Sequence, residues 1–424
     1  MKEIRFLFLL YIYPPYFGTA PVRNFNISKY LAKLGSKNVL FTTTNREISK
    51  EAMNELNGLI EFHKLPTLDY RTRFFKKYKN EHYKESVKNN PLVQFLIKLL
   101  NSFPLNIFFS EGGILYIISG IISGNKKIKE FKITHLYSSY RPLADHYIAF
   151  FLKKIHPELI WVADFRDLII EPFYQQLLLP GLHQKLYRAI FKNANLLITI
   201  SAGMARHLKY YNKKVVVVKN GFDFKSIDDK IPAELFSITY TGSMFLDKRD
   251  PKPLFLALCK LINEGKIKKE HLIIHYAGKD SWVWVRECQK YNLSDNLRDH
   301  GLQSIEYSRQ LQNASNINLL LSVASSDFDG ILTGKLIEYL EAGSPVIAIN
   351  VGEVDKEIDH VLKSANVGFC VSESPVYAHM IENFVQSEYI IWKKNKLVRK
   401  PVNVDILKEN YSFKATMSEL VSNL

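Results

Sequence analysis

The sequence predicts an α/β protein of two domains, each built on a parallel β-sheet flanked by helices. Short apolar runs rich in β-branched residues recur along the chain, and longer stretches with helical periodicity separate them. This alternation is typical of parallel sheets whose crossover connections are helices. The pattern breaks near residues 224–234 and then restarts. With 424 residues and 47% hydrophobic content, the chain is long enough for two buried cores.

The amino-terminal segment is the first predicted strand. Residues Met1–Tyr13 resemble a signal peptide, because Lys2 and Arg5 accompany a short apolar run. Pro14-Pro15 ends that run, however, and an amphipathic helix follows over Asn26–Leu34. We therefore interpret the segment as a buried strand. Further strands of the first domain are predicted at Val39–Thr43, Ile133–Tyr137, Leu159–Ala163, Leu196–Ile200 and Val215–Val218.

The second domain repeats the alternation, with strands predicted at Ile238–Thr241, Leu272–Ala277, Ile317–Ser322 and Val346–Ile349. We place the first domain at residues 1–226 and the second at residues 227–402. A final helix around Ser412–Leu424, within residues 403–424, is expected to pack back on the first domain. Ligands of open α/β sheets bind at the carboxyl ends of the strands, so we expect a binding cleft between the two domains.

The chain is basic, with 57 Lys+Arg against 42 Asp+Glu and a formal net charge of +15. Such a surface attracts anionic partners, among them lipid headgroups and diphosphates. Nucleic acid is not expected, because no nucleic-acid-binding motif is present. Cys259, Cys288 and Cys370 are odd in number and widely spaced, which argues against disulfides and a CxxC metal site. This cysteine pattern fits a reducing cytosol, so we expect a cytoplasmic protein. No apolar run is long and clean enough to span a bilayer.

The segment Gly334–Ala348 predicts a helix, a tight turn and a buried strand. Thr333 is the expected N-cap, and Gly343 follows the last helical turn. The N–H groups near Thr333, Gly334 and Lys335 suit a diphosphate, helped by the helix dipole and the lysine charge. Glu338 lies one turn further on, in reach of ribose hydroxyls. The alternative is a solvated helix with a surface glutamate.

Glycines follow several predicted strands directly. Gly18 comes after the first strand, Gly242 after Ile238–Thr241 and Gly278 after Leu272–Ala277. Because glycine has no side chain and tolerates positive φ, a backbone at Gly18 can pass close to a diphosphate or an acceptor. A plain turn glycine is the alternative there.

Asp164, Arg166 and Asp167 follow the strand predicted at Leu159–Ala163. In a loop at a strand end, a carboxylate beside an arginine can orient an acceptor hydroxyl or stabilise developing charge. These three residues are therefore the catalytic candidates. The alternative is a structural Asp–Arg pair that ties the loop. The twelve histidines show no HExxH spacing and no Ser/His/Asp arrangement.

These segments resemble, in the same order, the family 4 glycosyltransferases, a large retaining group with the GT-B fold. The resemblance covers nearly the whole chain and implies two Rossmann-like domains that face an interdomain cleft. The second domain would then bind the nucleotide sugar. The motifs that carry the resemblance are Pro14–Gly18, Asp164–Asp167, Ile200-Ser201, Asn220–Asp223 and Gly334–Ala348.

The donor signature of that family has two glutamates that flank seven residues, the second of which holds the donor ribose. Glu338 matches the second glutamate, whereas the first position falls on Gly330. The resemblance then implies that the contact to the donor hexose is absent or is made by Asp327 or Asp329.

Other donor contacts are implied by the same resemblance. Lys248 and Arg249 stand where family members place basic residues on the donor diphosphate, with solvated surface charge as the alternative. Gly301 and Leu302 belong to the segment that lines the nucleobase pocket, where backbone groups read the base and an apolar side chain packs on it.

The implied reaction is transfer of a hexosyl group from a nucleoside-diphosphate sugar to a hydroxyl, with retention of configuration. Resembling enzymes are metal-independent, so we expect no metal and no cofactor. Asp327-Phe328-Asp329 does spell the DxD motif that binds a divalent cation in the other main glycosyltransferase fold. It lies beside a helix that can neutralise phosphate without a metal, and chance DxD triplets are common.

A membrane-facing surface is the further hypothesis. Arg71–Lys79 interleaves cations with aromatic residues, and Leu92–Ile122 is rich in apolar residues. Each basic residue near an anionic leaflet adds about 1 kcal/mol to binding. The alternative is a solvated basic loop over a buried helix pair, and Trp392–Lys396 is a second candidate surface. Work at the inner membrane face would suit a lipid-linked or surface-glycan acceptor.

Two other functions stay open. A nucleotide-sugar 2-epimerase shares the architecture but needs acid/base carboxylates and no second substrate. A catalytically silent scaffold that serves a partner enzyme is suggested by Gly330 at the position of the first motif glutamate.

Overall fold

The structure is a computed structural model that describes residues 3–15, 19–35, 37–45, 47–68, 91–109, 111–170, 177–222, 231–244, 249–325, 330, 332 and 334–424. The chain divides into two compact units. The first unit is Met1–Lys219 with Met417–Leu424, and the second unit is Asn220–Thr416. Each contains one parallel sheet with helices, so the predicted α/β class is confirmed.

The first unit is built on a seven-stranded parallel sheet with the order β3-β2-β1-β4-β5-β6-β7. Its strands are β1 (Phe6–Leu9), β2 (Asn38–Thr43), β3 (Ile60–Leu65), β4 (His135–Tyr140), β5 (Ile160–Phe165), β6 (Leu196–Thr199) and β7 (Val215–Val217). Its helices are α1 (Thr19–Ala32), α2 (Lys50–Glu55), α3 (Pro91–Asn101), α4 (Leu105–Phe109), α5 (Gly113–Phe131), α6 (Leu143–Ile155), α7 (Pro180–Phe191) and α8 (Ala202–Leu208).

The core of the first unit lies on both faces of this sheet. Side chains of β1 alternate between the faces, so Phe6 and Phe8 pack in one hydrophobic cluster and Leu7 and Leu9 in the other. All four are fully buried. A continuous apolar run is therefore what this strand requires, because neither face of a parallel sheet is open to water.

The second unit has a six-stranded parallel sheet with the order β10-β9-β8-β11-β12-β13. Its strands are β8 (Phe236–Thr241), β9 (Leu272–Ala277), β10 (Leu297–Asp299), β11 (Ile317–Ala324), β12 (Val346–Gly352) and β13 (Gly368–Ser372). Its helices are α9 (Lys252–Asn263), α10 (Ser281–Lys290), α11 (Ile305–Asn313), α12 (Gly334–Ala342), α13 (Lys356–Ser364), α14 (Ala378–Asn395) and α15 (Val404–Tyr411). Three short 3₁₀ turns complete the unit at Lys269–His271, Ser294–Asn296 and Pro375–Tyr377.

The C-terminal region passes from the second unit to the first. Leu407 and Tyr411 of α15 pack in the hydrophobic cluster that also contains α12 and α13. The last helix, α16 (Phe413–Val421), contributes Met417 and Leu420 to the core of the first unit. The boundaries between units therefore fall at residues 219/220 and 416/417, against our expected 226/227 and 402/403.

Each of the ten segments predicted as strands overlaps an observed strand, but three strands of the described residues were not predicted. The run Ile60–Leu65 forms β3, which contains Glu, His and Lys and is partly exposed. The strand β10 has three residues, all at least partly exposed, and β13 begins at a glycine. The two sheet edges of the second unit and one edge of the first were therefore missed.

Each sheet has a switch point, where the strand order leaves the central strand in two directions. In the first unit it lies between β1 and β4, and in the second unit between β8 and β11. Ligands of open α/β sheets bind at the carboxyl ends of the strands that flank such a point. Among the described residues, no helix combines the length and the apolarity that a bilayer span requires.

Candidate functional site

Helix α12 begins just beyond the carboxyl end of β11, at the switch point of the second unit. It spans Gly334–Ala342 and buries Leu336, Ile337 and Leu340, as the sequence predicted. Gly343 adopts a φ of +68°, and its N–H donates to the carbonyl of Tyr339 at 3.1 Å. Left-handed backbone at this position is the usual way in which a helix ends. The last turn of α12 therefore ends at Gly343, as the sequence predicted.

The side chain of Lys335 lies over Gly242, the residue that follows β8. A β-carbon on Gly242 would stand 1.7 Å from Nζ and 2.3 Å from Cε of Lys335, and Gly242 has a φ of +126°. Only glycine adopts this φ without strain and leaves the Lys335 side chain where it is. The ammonium also lies 4.9 Å from the centre of the Tyr240 ring. The predicted Gly242 and Lys335 are therefore brought together.

The ammonium of Lys335 sits in a weakly solvated and positively charged environment. Burial, together with the nearby Arg249 guanidinium, lowers the pKa of Lys335 to about 7, and Glu338 opposes that shift. Arg249 is held in place because its Nη1 donates to the carbonyl of Ser243 at 2.5 Å and to the Tyr240 hydroxyl at 3.4 Å. A bound anion would stabilise two cations that lie this close together.

Glu338 is oriented by a buried amide that the sequence analysis did not single out. Nε2 of Gln312 donates to Oε2 of Glu338 at 3.1 Å and to the Thr241 hydroxyl at 2.8 Å. Gln312 is fully buried, on helix α11. The carboxylate of Glu338 is therefore half-buried and held at one oxygen. A buried glutamine on an amphipathic helix gives no sequence signal of such a contact.

Three glycines place backbone segments close together next to this lysine. The N–H of Gly242 donates to the carbonyl of Ala277 at 2.7 Å, and that of Gly278 donates to the carbonyl of Gly301 at 2.8 Å. A β-carbon on Gly278 would lie 2.2 Å from the carbonyl oxygen of Gly242. Beside them Leu302 is 81% exposed. The predicted glycines thus join the ends of β8, β9 and β10, with one apolar side chain open to solvent.

Two histidines lie beside Gly301: His300 belongs to the segment expected to line the nucleobase pocket, whereas His275 was not predicted as a site residue. Nδ1 of His275 lies 3.0 Å from Nε2 of His300, and Nδ1 of His300 lies 3.0 Å from the Tyr307 hydroxyl. Burial, together with the neighbouring His300 and Arg298, lowers the pKa of His275 to about 4, and burial also lowers the pKa of His300. The chain of rings is therefore neutral at physiological pH, and it supplies hydrogen-bonding groups rather than charge.

Gly330 occupies the position of the first motif glutamate for a backbone reason. It adopts a φ of +69°, and its N–H donates to Oδ2 of Asp355 at 2.7 Å. Oδ1 of the same aspartate caps helix α13. A residue with a side chain would be strained at that φ, so a glutamate does not fit this backbone without rearrangement. The predicted residues Gly18, Lys248, Asp329 and Thr333, with Asp327, lie outside the described residues.

In the first unit, Asp164 lies within β5 and not in the loop that follows it, so the predicted loop position is wrong. Its carboxylate is fully buried and forms a two-point ion pair with Arg23 of α1, with two contacts of 2.9 Å. The Tyr137 hydroxyl donates to Oδ2 at 2.8 Å. The structural Asp–Arg pair therefore exists, but its arginine is Arg23 and not Arg166. Arg23 was missed because 141 positions separate the partners.

The other two catalytic candidates remain at the end of β5. Asp167 is exposed, whereas Arg166 is half-buried and its Nη2 donates to the carbonyl of Arg141 at 3.4 Å. Burial lowers the pKa of Arg166, although Asp167 and Asp164 oppose the shift. These two side chains, at the carboxyl edge of the sheet, are the accessible part of the predicted catalytic set.

A buried carboxyl that the sequence analysis missed lies at the switch point of the first unit. Asp145 accepts hydrogen bonds from the N–H of Tyr11 at 2.9 Å and from the Tyr116 hydroxyl at 2.8 Å. Burial raises its pKa to about 7, against the effect of these two donors and of Arg166. Asp145 thereby joins the end of β1 to helix α6.

Solved structures share the fold over nearly their whole length. A glycosyltransferase from Rickettsia africae ESF-5 has a TM-score of 0.62 at 14% identity, covering 100% of this chain and 98% of that chain. Sucrose-phosphate synthase from Thermosynechococcus elongatus has a TM-score of 0.60 at 14% identity, with coverages of 99% and 98%. The chain has the GT-B fold. The lipopolysaccharide outer core galactosyltransferase WaaB also shares it, with a TM-score of 0.54 at 13% identity over 99% of both chains.

Identities this low establish the GT-B fold alone, and function must be argued from the site. No protein-family model and no curated protein sequence matches the chain. In this GT-B chain the predicted residues form two groups. Gly242, Arg249, Gly278, Gly301, Leu302, Gly334, Lys335 and Glu338 are in the second unit, and Asp164, Arg166 and Asp167 are in the first.

Proposed function

We propose that the protein is a glycosyltransferase that moves a hexosyl group from a nucleoside-diphosphate sugar to a hydroxyl of a glycan acceptor. The observation that carries this proposal is the Lys335 ammonium over Gly242, at the first turn of α12 and at the switch point of the second unit. A cation, free helix N–H groups and a glycine backbone together suit a diphosphate. The solved structures of the same fold include glycosyltransferases.

Each group of the second unit has a role in this proposal. Lys335, Arg249 and the N–H groups at Gly334 neutralise the diphosphate as negative charge moves onto it during transfer. Glu338 accepts hydrogen bonds from the ribose hydroxyls, while Gln312 donates a hydrogen bond to Oε2 of the same carboxylate. The exposed Leu302 packs on the nucleobase, and backbone groups at Gly301 read the base edge.

The acceptor is assigned to the first unit, where Arg166 and Asp167 stand at the end of β5. We propose a front-face reaction with retention, in which the leaving phosphate helps to remove the proton from the incoming hydroxyl. Asp164 then acts as a positioning residue, because its carboxylate is fully used by Arg23 and Tyr137. Cations and helix N–H groups supply the charge that a metal supplies in other phosphoryl sites, so the proposed reaction is metal-independent.

A lipid-linked acceptor and an inner-membrane location are part of the proposal because of helix α3. None of its residues is buried, and Leu92, Phe95 and Leu96 are among its exposed apolar side chains. Ile122 of α5 is exposed to 67%. Interfacial helices with such a face bind membranes when cations accompany them. The cation-rich sequence Arg71–Lys79, which lies outside the described residues, precedes α3 in the chain. An anionic leaflet is therefore the proposed partner surface.

The second candidate surface, at Trp392–Lys396, is wrong. Trp392 is only 1% exposed and packs in the core of the second unit, where its Nε1 donates to the carbonyl of Ala233 at 2.7 Å. This tryptophan cannot enter a bilayer while the unit is folded.

The proposal is tested by product analysis with a panel of nucleotide sugars, with and without a bacterial glycolipid extract as acceptor. Mass spectrometry should detect a glycolipid that is heavier by one hexosyl residue, and only when donor and acceptor are both present. A changed sugar nucleotide without acceptor would identify a 2-epimerase. Binding of a donor without turnover on any acceptor would favour a silent scaffold.

A further inference from the structure

The switch point of the first unit gathers cationic groups that the proposed donor site does not use. Arg141 directly follows β4, and Arg166 directly follows the neighbouring strand β5. Helix α6 starts at Leu143, and its N-cap, Pro142, provides no side-chain hydrogen bond. The positive end of a 13-residue helix thus lies next in the chain to one of these arginines.

The guanidinium of Arg166 is incompletely satisfied. Its Nη2 makes one long contact of 3.4 Å to the carbonyl of Arg141. Its Nε is shielded from solvent and has no hydrogen-bond partner among the described residues. An arginine has five N–H donors, and leaving a shielded donor unpaired costs free energy. The site is therefore short of acceptors around a permanent positive charge.

The carboxylates nearby do not fill this deficit. Both oxygens of Asp164 are used by Arg23 and Tyr137. Both oxygens of Asp145 accept hydrogen bonds, from the Tyr11 N–H and the Tyr116 hydroxyl. Asp167 is exposed, and within the described part of the chain no carboxylate forms an ion pair with Arg166. Among the described residues, the guanidinium of Arg166 therefore has no paired carboxylate.

We propose that this switch point binds an oxyanion, a phosphate or carboxylate carried by the acceptor, through the guanidinium of Arg166 with Arg141 and the start of helix α6 beside it. The planar fork of a guanidinium binds two oxygens of one phosphate or carboxylate group. The burial that lowers the pKa of Arg166 is consistent with a site that an anion completes. The class of acceptor is then a negatively charged glycan or glycolipid.

The assignment of this anion to the acceptor rests on the proposed function, because that proposal gives the donor diphosphate to the second unit. The anion site itself does not depend on it. A phosphate-bearing acceptor would be fixed by its charge at Arg166, and its hydroxyl would be left free to react. Arg166 then acts in binding and orientation, and it needs no proton transfer.

The test is isothermal titration of the full-length protein with inorganic phosphate at constant ionic strength. A Lys335→Ala background removes the lysine contact of the donor site and so weakens competing phosphate binding there. On this background, Arg166→Gln should weaken phosphate binding roughly tenfold or more, as expected for a lost charged hydrogen bond. Arg166→Lys should retain part of the affinity. The matched control is Arg188→Gln, since Arg188 is exposed on α7 in the same unit and stacks on Tyr210 at 5.2 Å.

Equal phosphate affinity in the Lys335→Ala protein with and without Arg166→Gln would overturn the proposal, as would absence of phosphate binding by the Lys335→Ala protein. If Arg166→Gln lowers the melting temperature below the working range, the Arg166→Lys variant is used instead. A phosphate affinity equal to that of the Lys335→Ala protein would overturn the proposed site, and a weaker affinity would support it. Two pairs of ligands distinguish a phosphate from a carboxylate as the bound group. Tighter binding of glycerol 1-phosphate than of glycerol indicates a phosphate, and tighter binding of glucuronate than of glucose indicates a carboxylate. Phosphate binding at Arg166 without nucleotide-sugar binding would reject the proposed function and leave the anion site standing.

Discussion

Nζ of Lys335 occupies the space above Gly242 so closely that a β-carbon there would approach it to 1.7 Å. The two residues come from separate elements, the first turn of α12 and the end of β8. The lysine is held over the glycine where the strand order of the sheet reverses. The donor-site proposal depends on this contact, because it positions a cation on backbone that can approach a diphosphate.

Replacement of Gly242 by alanine should displace Lys335 from this position. We expect Gly242→Ala to weaken diphosphate binding tenfold or more, because a hydrogen bond from a charged group such as the Lys335 ammonium contributes roughly 1.5–3 kcal/mol. The matched control is Gly265→Ala, because Gly265 also has a positive φ of 69° but no atom within 4 Å of an added β-carbon. Titration with UDP and GDP measures both variants. Equal losses in the two would show that positive φ, and not the lysine contact, is responsible.

The lowered pKa of Lys335 predicts a pH dependence of stability and of binding. The pKa of Lys335 is about 7 in the folded protein, whereas the ordinary value of a lysine is 10.5, so the unfolded chain holds more protons between these two pH values. Stability should therefore rise with pH across this window, and Lys335→Met should stabilise the unliganded protein by about 1 kcal/mol at pH 7. Thermal unfolding from pH 6 to 10 measures the slope. A Met variant with the same slope as the wild type would contradict the assignment.

The same lysine should take up a proton when a diphosphate binds. The added negative charge favours the ammonium form, so the affinity should fall as the pH rises above about 7. Titration calorimetry in two buffers of different ionisation enthalpy reports the proton uptake. It should be largest above pH 7 and absent in Lys335→Met.

The buried ion pair of Arg23 and Asp164 should contribute far more to the stability of the fold than an exposed ion pair does. Arg23→Met leaves a fully buried carboxylate without its counter-charge, so we expect a loss of about 3–5 kcal/mol. The control is Lys363→Met, which breaks an exposed pair with Asp359 and should change stability by less than about 0.5 kcal/mol. Urea denaturation followed by tryptophan fluorescence compares the two. Similar small losses would mean that Asp164 protonates or finds another partner.

The apolar face of helix α3 predicts binding to anionic vesicles at low salt. The double variant Phe95→Ser/Leu96→Ser should reduce the partition coefficient roughly tenfold or more, because each apolar side chain contributes when it leaves water. Val376→Ser is the control, since Val376 is 81% exposed in the second unit. Co-sedimentation with phosphatidylserine vesicles measures the effect. No binding by the wild type would contradict the membrane proposal.

Much of the fold could be predicted because buried parallel strands need apolar runs on both faces. Strands such as Phe6–Leu9 stand out for this reason. The edge strands do not, since β3 carries Glu61, His63 and Lys64 and one of its faces meets solvent. Edge strands are defined by their hydrogen-bonding partners, which lie far away in the chain.

The donor-site candidates could be predicted in part because strand ends and helix starts bear local signatures, as at Gly242 and Gly334. The contacts of Arg23 with Asp164 and of Gln312 with Glu338 could not be, since 141 and 26 positions separate the partners. Neither arginine nor glutamine in a helix indicates its partner. The loop position predicted for Asp164 is wrong for the same reason, because the distant arginine is what lets a carboxylate lie inside a strand.

The most direct test of the donor site is a thermal-shift screen of UDP-, GDP-, ADP-, CMP- and dTDP-sugars on the wild type, Glu338→Ala and Glu341→Ala. Glu341 lies on the same helix and pairs with Arg309, so its variant controls for the loss of a helical glutamate. A ligand at 100 times its dissociation constant adds about 2.7 kcal/mol, which raises the melting temperature by roughly 5–10 °C in a domain of this size. We predict that one class of donor stabilises the wild type and Glu341→Ala but not Glu338→Ala. Stabilisation by no donor, or equal stabilisation of Glu338→Ala, would contradict the account.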